Sequence, residues 1–270
     1  MSKSKIGLII VALGLLLLAN DFASAGLAVG NAILEKEIAP GGNISHLMTV
    51  STRESDPSMD IKVDVMGYGQ SLDGTNIGLN ASRDTGTYTA RPFLKASPDS
   101  FHLDPGKSQK VMLKGDIPSD VGSGGRYALI NIHSLPMGNK SVDVVLAVEV
   151  PIRLTINGSD IINKGEIESL DLVEPVSSKE QKLSLILKNT GNHHYRPMAK
   201  TVIEDQDGTI VANASSPSVY TLLPNYSRLI KIDITPEPPL KPGAYTVNAT
   251  VNMDDGTVLA NKKMPLEIKS

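Results

Sequence analysis

The chain has 270 residues, 40% of them hydrophobic and 20% charged, with a formal net charge of -3 and with neither Cys nor Trp. This balance is that of a globular protein of about two domains, and it offers no strongly basic face for nucleic acid. The lack of cysteine excludes disulfide bridges and thiolate metal sites, so the fold must depend on core burial.

The first 25 residues have the pattern of an export signal. Lys3 and Lys5 precede an unbroken apolar run of 14 residues over 6–19, and small residues follow at 23–25. A membrane-spanning helix needs roughly 20 apolar residues, so this run is short for a span. We predict a signal peptide over 1–25 and an extracytoplasmic protein, secreted or associated with the cell surface. An uncleaved membrane anchor is the alternative.

Beyond residue 26 the apolar residues recur with a period of two. The clearest alternating runs are 59–65, 183–187, 230–234 and 245–251. Alternation of this kind is typical of strands with one buried and one solvated face. Asp-Gly pairs at 207–208 and 255–256 predict hairpins over 201–214 and 247–264. Since no window has the 3.6-residue period of an amphipathic helix, we predict an all-β fold of two tandem Ig-like β-sandwich domains.

A strand–loop–strand pattern occurs once in each half of the chain. Leu103 and Tyr127 bracket the first copy and Leu222 and Tyr245 the second, at separations of 24 and 23 residues. Such an internal repeat indicates two related domains.

The boundary between the halves is marked by a break in the strand pattern. Asn157-Gly158-Ser159 ends an alternating run, and a polar, irregular stretch follows it. We predict domain one at 26–157 and domain two at 163–270.

Two segments resemble a known family. The segment 98–134, with Leu103-Asp104-Pro105-Gly106 and Gly125-Arg126-Tyr127, is similar to the N-terminal domain of PapD-like pilus chaperones. It resembles still more closely the exported, chaperone-like proteins of the WxL-interacting kind. The segment 187–208, with Asn189-Thr190-Gly191-Asn192, resembles their second, Ig-like domain. The resemblance implies a PapD-like β-sandwich followed by an Ig-like one, and binding of a partner protein without catalysis.

The resemblance also implies a place for one basic residue. In the pilus chaperones a basic residue on the last strand of domain one and an Arg near the N-terminus hold the C-terminal carboxylate of a subunit. Arg153 lies where the first of these is expected. The segment 26–38 contains only Lys36 as a basic residue, so the second has no counterpart.

The segment 142–156 is apolar at every second position. Read as one strand it spans about 50 Å. Pro151 places it at a sheet edge or a crossing between sheets, because proline cannot donate to a ladder. It is either an edge that pairs with a partner's strand, or a long strand that buries its apolar face at home, or half of each. The candidates for partner binding are Val144, Leu146, Val148, Val150 and Arg153.

Seven of the 16 Asn residues begin an Asn-x-Ser/Thr motif, where roughly two or three are expected by chance. The excess fits a glycosylated extracellular protein, although turns favour the same residue types. The glycosylation candidates are Asn43, Asn80, Asn139, Asn157, Asn213, Asn225 and Asn248.

The sequence contains no established catalytic or metal-binding motif. His193 and His194, as neighbours on a strand, would point to opposite faces and could not share a metal ion without a bulge or turn. The Gly-rich stretch 122–125 precedes a strand rather than a helix, so we interpret it as a flexible loop and not as a phosphate site. We expect no enzymatic activity, no cofactor and no bound metal.

These observations favour an exported, non-catalytic adaptor or assembly protein, chaperone-like in type. Its expected partner is a cell-envelope or surface protein, bound by strand-edge pairing. A cell-wall or carbohydrate-binding module is the alternative; three Phe, seven Tyr and no Trp make few of the flat aromatic surfaces that bind sugars. An unrecognised hydrolase is a third reading.

Overall fold

The computed structural model describes residues 26–136, 145–158, 160–173, 175–217 and 220–269. In this part of the chain the secondary structure is seventeen strands and one short 3-10 helix, Arg91–Phe93. The strands form sheets packed as sandwiches, which confirms the predicted all-β fold class. No helix among the described residues is long and apolar enough to cross a membrane. The predicted signal peptide, 1–25, lies outside them.

Ten strands form the first sandwich: β1 (Leu27–Gly30), β2 (Leu34–Ile38), β3 (Asn43–Thr52), β4 (Met59–Gln70), β5 (Asn76–Leu79), β6 (Leu94–Ser97), β7 (Ser100–Leu103), β8 (Ser108–Asp116), β9 (Gly125–Ser134) and β10 (Ala147–Ile156). One sheet has the order β1-β3-β8-β6 and the other β2-β10-β9-β4-β5, with β7 also paired to β4. Side chains from both sheets, such as Met48 and Ile130, fill the core between them.

Seven strands form the second sandwich: β11 (Gly165–Val173), β12 (Gln181–Asn189), β13 (Met198–Glu204), β14 (Ile210–Ser215), β15 (Ser227–Ile234), β16 (Gly243–Asn252) and β17 (Val258–Ile268). The sheet orders are β11-β12-β15 and β14-β13-β16-β17. The described ladders all stay within one sandwich or the other. The domain limits at 26–157 and 163–270, as independent folding units, stay a prediction.

The predicted hairpins and the predicted repeat both have counterparts in the structure. β13 pairs antiparallel with β14, and β16 with β17, across the two Asp-Gly turns. In the first sandwich β8 and β9 are consecutive strands in opposite sheets, and in the second β15 and β16 have the same relation. The repeat is therefore one strand–crossover–strand unit in each sandwich.

The N-terminal segment changes sheets. β1 pairs antiparallel with β3, whereas β2 pairs parallel with β10 in the opposite sheet. The chain crosses between them at Asn31, which has a φ of 55°, a conformation that asparagine tolerates better than most residues. Because this one segment is divided between two sheets, β1 pairs with only part of β3 and β2 pairs with only part of β10.

The prediction of a single strand over 142–156 is wrong at residues 145 and 146, which are not in a strand. β10 begins only at Ala147, and the residues before 145 lie outside the described part of the chain. The Leu146 N–H is 3.0 Å from the hydroxyl oxygen of Ser134 and donates to it. The Ser134 hydroxyl thus accepts the bond that a backbone carbonyl of β9 would accept in a regular ladder. β10 therefore starts one residue after Leu146.

The Asn189–Asn192 motif forms an elbow between the sandwiches. The Asn192 side chain accepts from the Ile162 N–H at 2.8 Å and donates to the Asp160 carbonyl at 2.8 Å, both in the linker. Its own carbonyl accepts from the Gly125 N–H of the first sandwich at 2.8 Å. Gly124 and Gly125 are therefore packed against the elbow, while residues 122 and 123 are exposed and their interpretation as a flexible loop stays a prediction.

Candidate partner-binding site

The outer edge of β10 is covered along only part of its length. β2 pairs with Ile152–Ile156, while Ala147–Pro151 has a described neighbour on one side only, β9. The first half of β10 is thus an open strand edge, and we call Ala147–Pro151 the open edge below.

The register shows which backbone groups are free on the open edge. The Ser134 N–H donates to the Leu146 carbonyl at 2.9 Å, and the Ile156 N–H to the Gly124 carbonyl at 3.1 Å. The pairing between these points has no shift, and antiparallel residues alternate in the side to which they bond. Even-numbered residues of β10 therefore bond to β9. The N–H and C=O groups of Ala147 and Glu149 point outward.

Pro151 follows the same rule. It is odd-numbered, so its nitrogen faces the uncovered side, where the missing N–H breaks no bond to β9. Proline in a strand is confined to such positions. β10 lies between β2 and β9 in the sheet, so the edge predicted from Pro151 is limited to the part before Ile152, where the outward main-chain donors belong to Ala147 and Glu149.

Apolar side chains are exposed around the open edge. Val145 is 49% exposed just before β10, and Leu135 is 40% exposed just after its partner strand β9. Ile33 is 60% exposed and immediately precedes β2. An extension of β2 toward the N-terminus would place it beside Pro151. Together with free backbone groups, these side chains give the features of a strand-addition site.

The predicted side chains on this strand have different surroundings. Val144 lies outside the described residues. Leu146 and Val148 are half-buried against the core of the first sandwich, and Val150 is fully buried in it. The side chains of Leu146, Val148 and Val150 thus pack in their own sandwich. The groups that are free to pair with a partner strand are main-chain groups, which the alternation of side chains did not identify.

Arg153 lies where the face of this sheet meets the second sandwich. Its side chain lines a cleft of about 660 Å³, together with Pro151, Tyr68, Gln70 and Arg196 among others. The Nη2 and Nε of Arg153 donate to Glu35 Oε2 on β2, at 3.0 and 3.3 Å. Arg153 is therefore at the cleft, where the resemblance places a basic residue. Its guanidinium is already paired with Glu35, a carboxylate of the same sandwich.

Glu35 also contacts the second sandwich. Its Oε1 lies 3.1 Å from His194 Nε2. The Tyr127 hydroxyl lies 3.2 Å from His194 Nδ1, and the His194 backbone N–H donates to the Tyr127 oxygen at 2.9 Å. Burial, followed by the neighbouring His193, lowers the pKa of His194 to about 4. The neutral ring donates through Nε2 to Glu35 and accepts at Nδ1 from Tyr127.

The pKa of Glu35 is held below its ordinary value. Desolvation raises it, but the hydrogen bonds from His194 and Arg153 lower it by more. Glu35 is therefore ionised over the ordinary pH range and links a strand at the cleft to the second sandwich.

His193 and His194 are not on a strand, so the expectation that they point to opposite faces is wrong. They lie in the bend after β12, and their ring centroids are 4.3 Å apart. His193 Nε2 is 2.9 Å from the Thr155 hydroxyl oxygen, so both rings contact the first sandwich. The described residues include no group of three His, Cys, Asp or Glu side chains placed to hold a metal ion.

Two further side chains at the cleft, those of Arg196 and Tyr220, are exposed. Arg196 is exposed at the cleft and forms no ion pair with any described residue. Tyr220, also at the cleft, is 82% exposed. A free guanidinium and an exposed aromatic ring are among the groups that most often anchor a protein partner.

The sequons that the structure describes lie mostly on exposed positions. Asn43, Asn80, Asn157, Asn213 and Asn225 are exposed, and Asn248 is half-buried on β16. Asn139 lies outside the described residues. Glycosylation of any of them stays a prediction.

Comparison with known proteins adds structural similarity only. No family model and no curated protein matches the chain. Among solved structures it is similar to the class 5 fimbriae chaperone CfaA, with a TM-score of 0.42 and 10% identity over 91% of this chain and 100% of that one. The E. coli chaperone DraB has a TM-score of 0.39 and 12% identity, over 90% and 99%. The YadV chaperone has 0.40 and 11%, over 89% and 99%. The fold class rests on the sheets described above.

Proposed function

We propose that this chain is a non-catalytic binding protein of the adaptor or chaperone-like type, which pairs a partner's β-strand with the open edge of β10. The observation that carries the proposal is the pair of outward-facing main-chain donors at Ala147 and Glu149, on a strand that β2 covers only from Ile152 onward. Main-chain hydrogen bonds supply affinity in such complexes, and side-chain pockets supply specificity.

The surroundings of the open edge support a protein partner. Exposed apolar side chains lie around it, and the cleft with Arg153, Arg196 and Tyr220 lies at its Pro151 end. An uncovered edge is an aggregation risk that proteins usually block with charges, bulges or a covering segment. A long-term partner strand removes that risk, so an edge left open beside an apolar rim favours a binding role.

The proposed place of action is outside the cytoplasm. The basic, apolar and small-residue pattern over 1–25 supports export, and the partner is then a cell-envelope or surface protein. Binding of this type needs no bond making, so we propose no enzymatic activity.

A matched pair of substitutions at one residue tests the proposal. Glu149→Pro removes the outward N–H, and Glu149→Ala keeps the N–H while removing the same side-chain charge. Neither change touches a bond to β9, because the N–H and C=O of Glu149 face the open side, where Pro151 already shows that proline is accepted. We expect similar melting temperatures for the two variants.

The measurement is recovery of partners from a native cell-envelope extract, with immobilised wild-type protein and each variant. Proteins that wild type and Glu149→Ala retain equally, and that Glu149→Pro loses by about tenfold, would be strand-pairing partners; one lost main-chain bond together with an unpaired partner carbonyl corresponds to roughly 1–3 kcal/mol. Equal recovery by the alanine and proline variants refutes pairing at this edge, and so does the absence of any retained protein.

A further inference from the structure

A second pocket between the sandwiches gathers most of the tyrosines of the chain. It measures about 320 Å³ and lies between the 80–89 segment of the first sandwich and residues 223–226 of the second. Four of the seven tyrosines line it: Tyr68, Tyr88, Tyr127 and Tyr226. The low aromatic content of the sequence argued against a sugar-binding module. The fold, however, brings these four rings together around one pocket.

The rings form an apolar wall whose inner hydroxyls are used elsewhere. Tyr68 and Tyr127 are buried and pack with Leu223. The Tyr68 hydroxyl donates to Asn76 Oδ1 at 2.9 Å, and the Tyr127 hydroxyl bonds to His194. What these residues offer to the pocket is therefore carbon surface.

The lining of the pocket also includes polar groups in fixed positions. Asp84 Oδ2 accepts from Thr89 Oγ1 at 2.6 Å and from Arg91 Nε at 2.7 Å, and the side chain is only 5% exposed. Its Oδ1 has no hydrogen-bond partner among the described residues. The Tyr226 hydroxyl likewise forms no hydrogen bond within the described part of the chain, and Asn225 lies beside it at the rim.

We propose that this pocket binds a neutral pyranose unit of a polysaccharide. A sugar ring presents C–H faces that pack on aromatic rings, and hydroxyls that pair with a carboxylate, a phenol and an amide. The volume lies at the small end of ligand pockets, as one sugar ring requires. An apolar partner side chain would leave Asp84 Oδ1 and the Tyr226 hydroxyl unpaired, which is unfavourable. Arg83 and Asp84 both line the pocket, and Asp84 is paired with Arg91 at 2.7 Å, so the lining favours neither an anion nor a cation.

The site is separate from the open edge. None of its lining residues belongs to β10, so sugar binding and strand pairing can each be lost without the other. The experiment below therefore tests the pocket alone.

The test uses the full chain made in a host without N-glycosylation, because the Asn225 sequon borders the pocket. The probes are the methyl glycosides of glucose, galactose, mannose and N-acetylglucosamine, measured by saturation-transfer NMR. Tyrosine fluorescence provides a second signal, since the chain has no Trp. The variants are Tyr226→Phe, which removes one hydroxyl, and Tyr88→Ala, which removes one ring. Tyr245→Phe is the control, as its hydroxyl bonds to the Lys241 carbonyl away from the pocket.

We expect saturable binding of at least one glycoside, weakened roughly fivefold or more by each pocket variant and unchanged by Tyr245→Phe. Tyr226→Phe keeps the ring and the fold, so its effect reports on the missing hydroxyl even if Tyr88→Ala is unstable. The inference is overturned if none of the four glycosides binds, or if Tyr226→Phe binds as wild type does.

Discussion

Asn189 is the residue on which the elbow depends most. Its side chain is fully buried. Nδ2 donates to the carbonyls of His193 and Leu222 at 2.8 and 3.0 Å, and Oδ1 accepts from the Gly191 N–H at 2.9 Å. These three bonds hold the bend that carries His193 and His194 to the first sandwich. Asn189→Ala should therefore weaken both the second sandwich and its docking.

The expected cost follows from the three bonds. A typical hydrogen bond contributes about 1 kcal/mol net, and a buried group left without a partner costs about 1–3 kcal/mol. The Gly191 N–H and the Leu222 carbonyl keep other backbone partners, Lys164 and Tyr195, which limits the loss to about 3 kcal/mol. For a domain of this size that is a fall in melting temperature of roughly 10 °C or more.

Thermal and urea unfolding followed by circular dichroism measure the cost, with Asn261→Ala as the matched control. Asn261 also makes two side-chain bonds of 2.8 Å, but it is exposed on β17, so water replaces them and the expected loss is below about 1 kcal/mol. Asn189→Asp should be at least as harmful as Asn189→Ala, since a carboxylate cannot donate to two carbonyls. Equal stabilities for Asn189→Ala and Asn261→Ala would show that the buried bonds of Asn189 do not hold the elbow.

Two further outcomes are expected. The pKa of His194 in the folded protein is about 4, below its ordinary value of 6.5, so the unfolded chain binds the proton more readily. The contribution of His194 to stability is therefore fully present above about pH 6.5 and is lost as the pH falls toward 4. Melting temperature against pH should show this loss in wild type and a flatter profile in His194→Asn; identical slopes would contradict it. Gly124 and Gly158 both have positive φ, 89° and 72°, and each should lose about 1 kcal/mol on change to Ala. Only at Gly124 does a Cβ meet the Asn192 carbonyl oxygen, at 2.2 Å, so Gly124→Ala should melt well below Gly158→Ala, and equal melting would show that the elbow is not tightly packed.

The strands were predictable because alternation is a local signal. Runs such as 230–234 and 245–251 place every second side chain in one core, and the structure buries Ile230, Ile232 and Val247 accordingly. The Asp-Gly turns fix which neighbours pair, since Gly208 and Gly256 adopt the positive φ, 80° and 88°, that closes each hairpin.

The site was predictable only in part, because it depends on which strands become neighbours. Pro151 indicated an edge, but nothing local shows that β2 would pair parallel with β10 and stop at Ile152. The pairing of Glu35 with Arg153 and the meeting of Tyr68 and Tyr226 also join segments far apart in the chain. Periodicity and turn chemistry contain no information on such contacts.

Amide hydrogen exchange along β10 in the isolated protein tests the open edge most directly. The Ala147 and Glu149 amides should exchange rapidly, whereas those of Val148 and Val150, bonded to β9, should be protected by several orders of magnitude. Protection of Ala147 and Glu149 to the same degree as their even-numbered neighbours would show that another segment covers this edge, and strand addition there would be excluded.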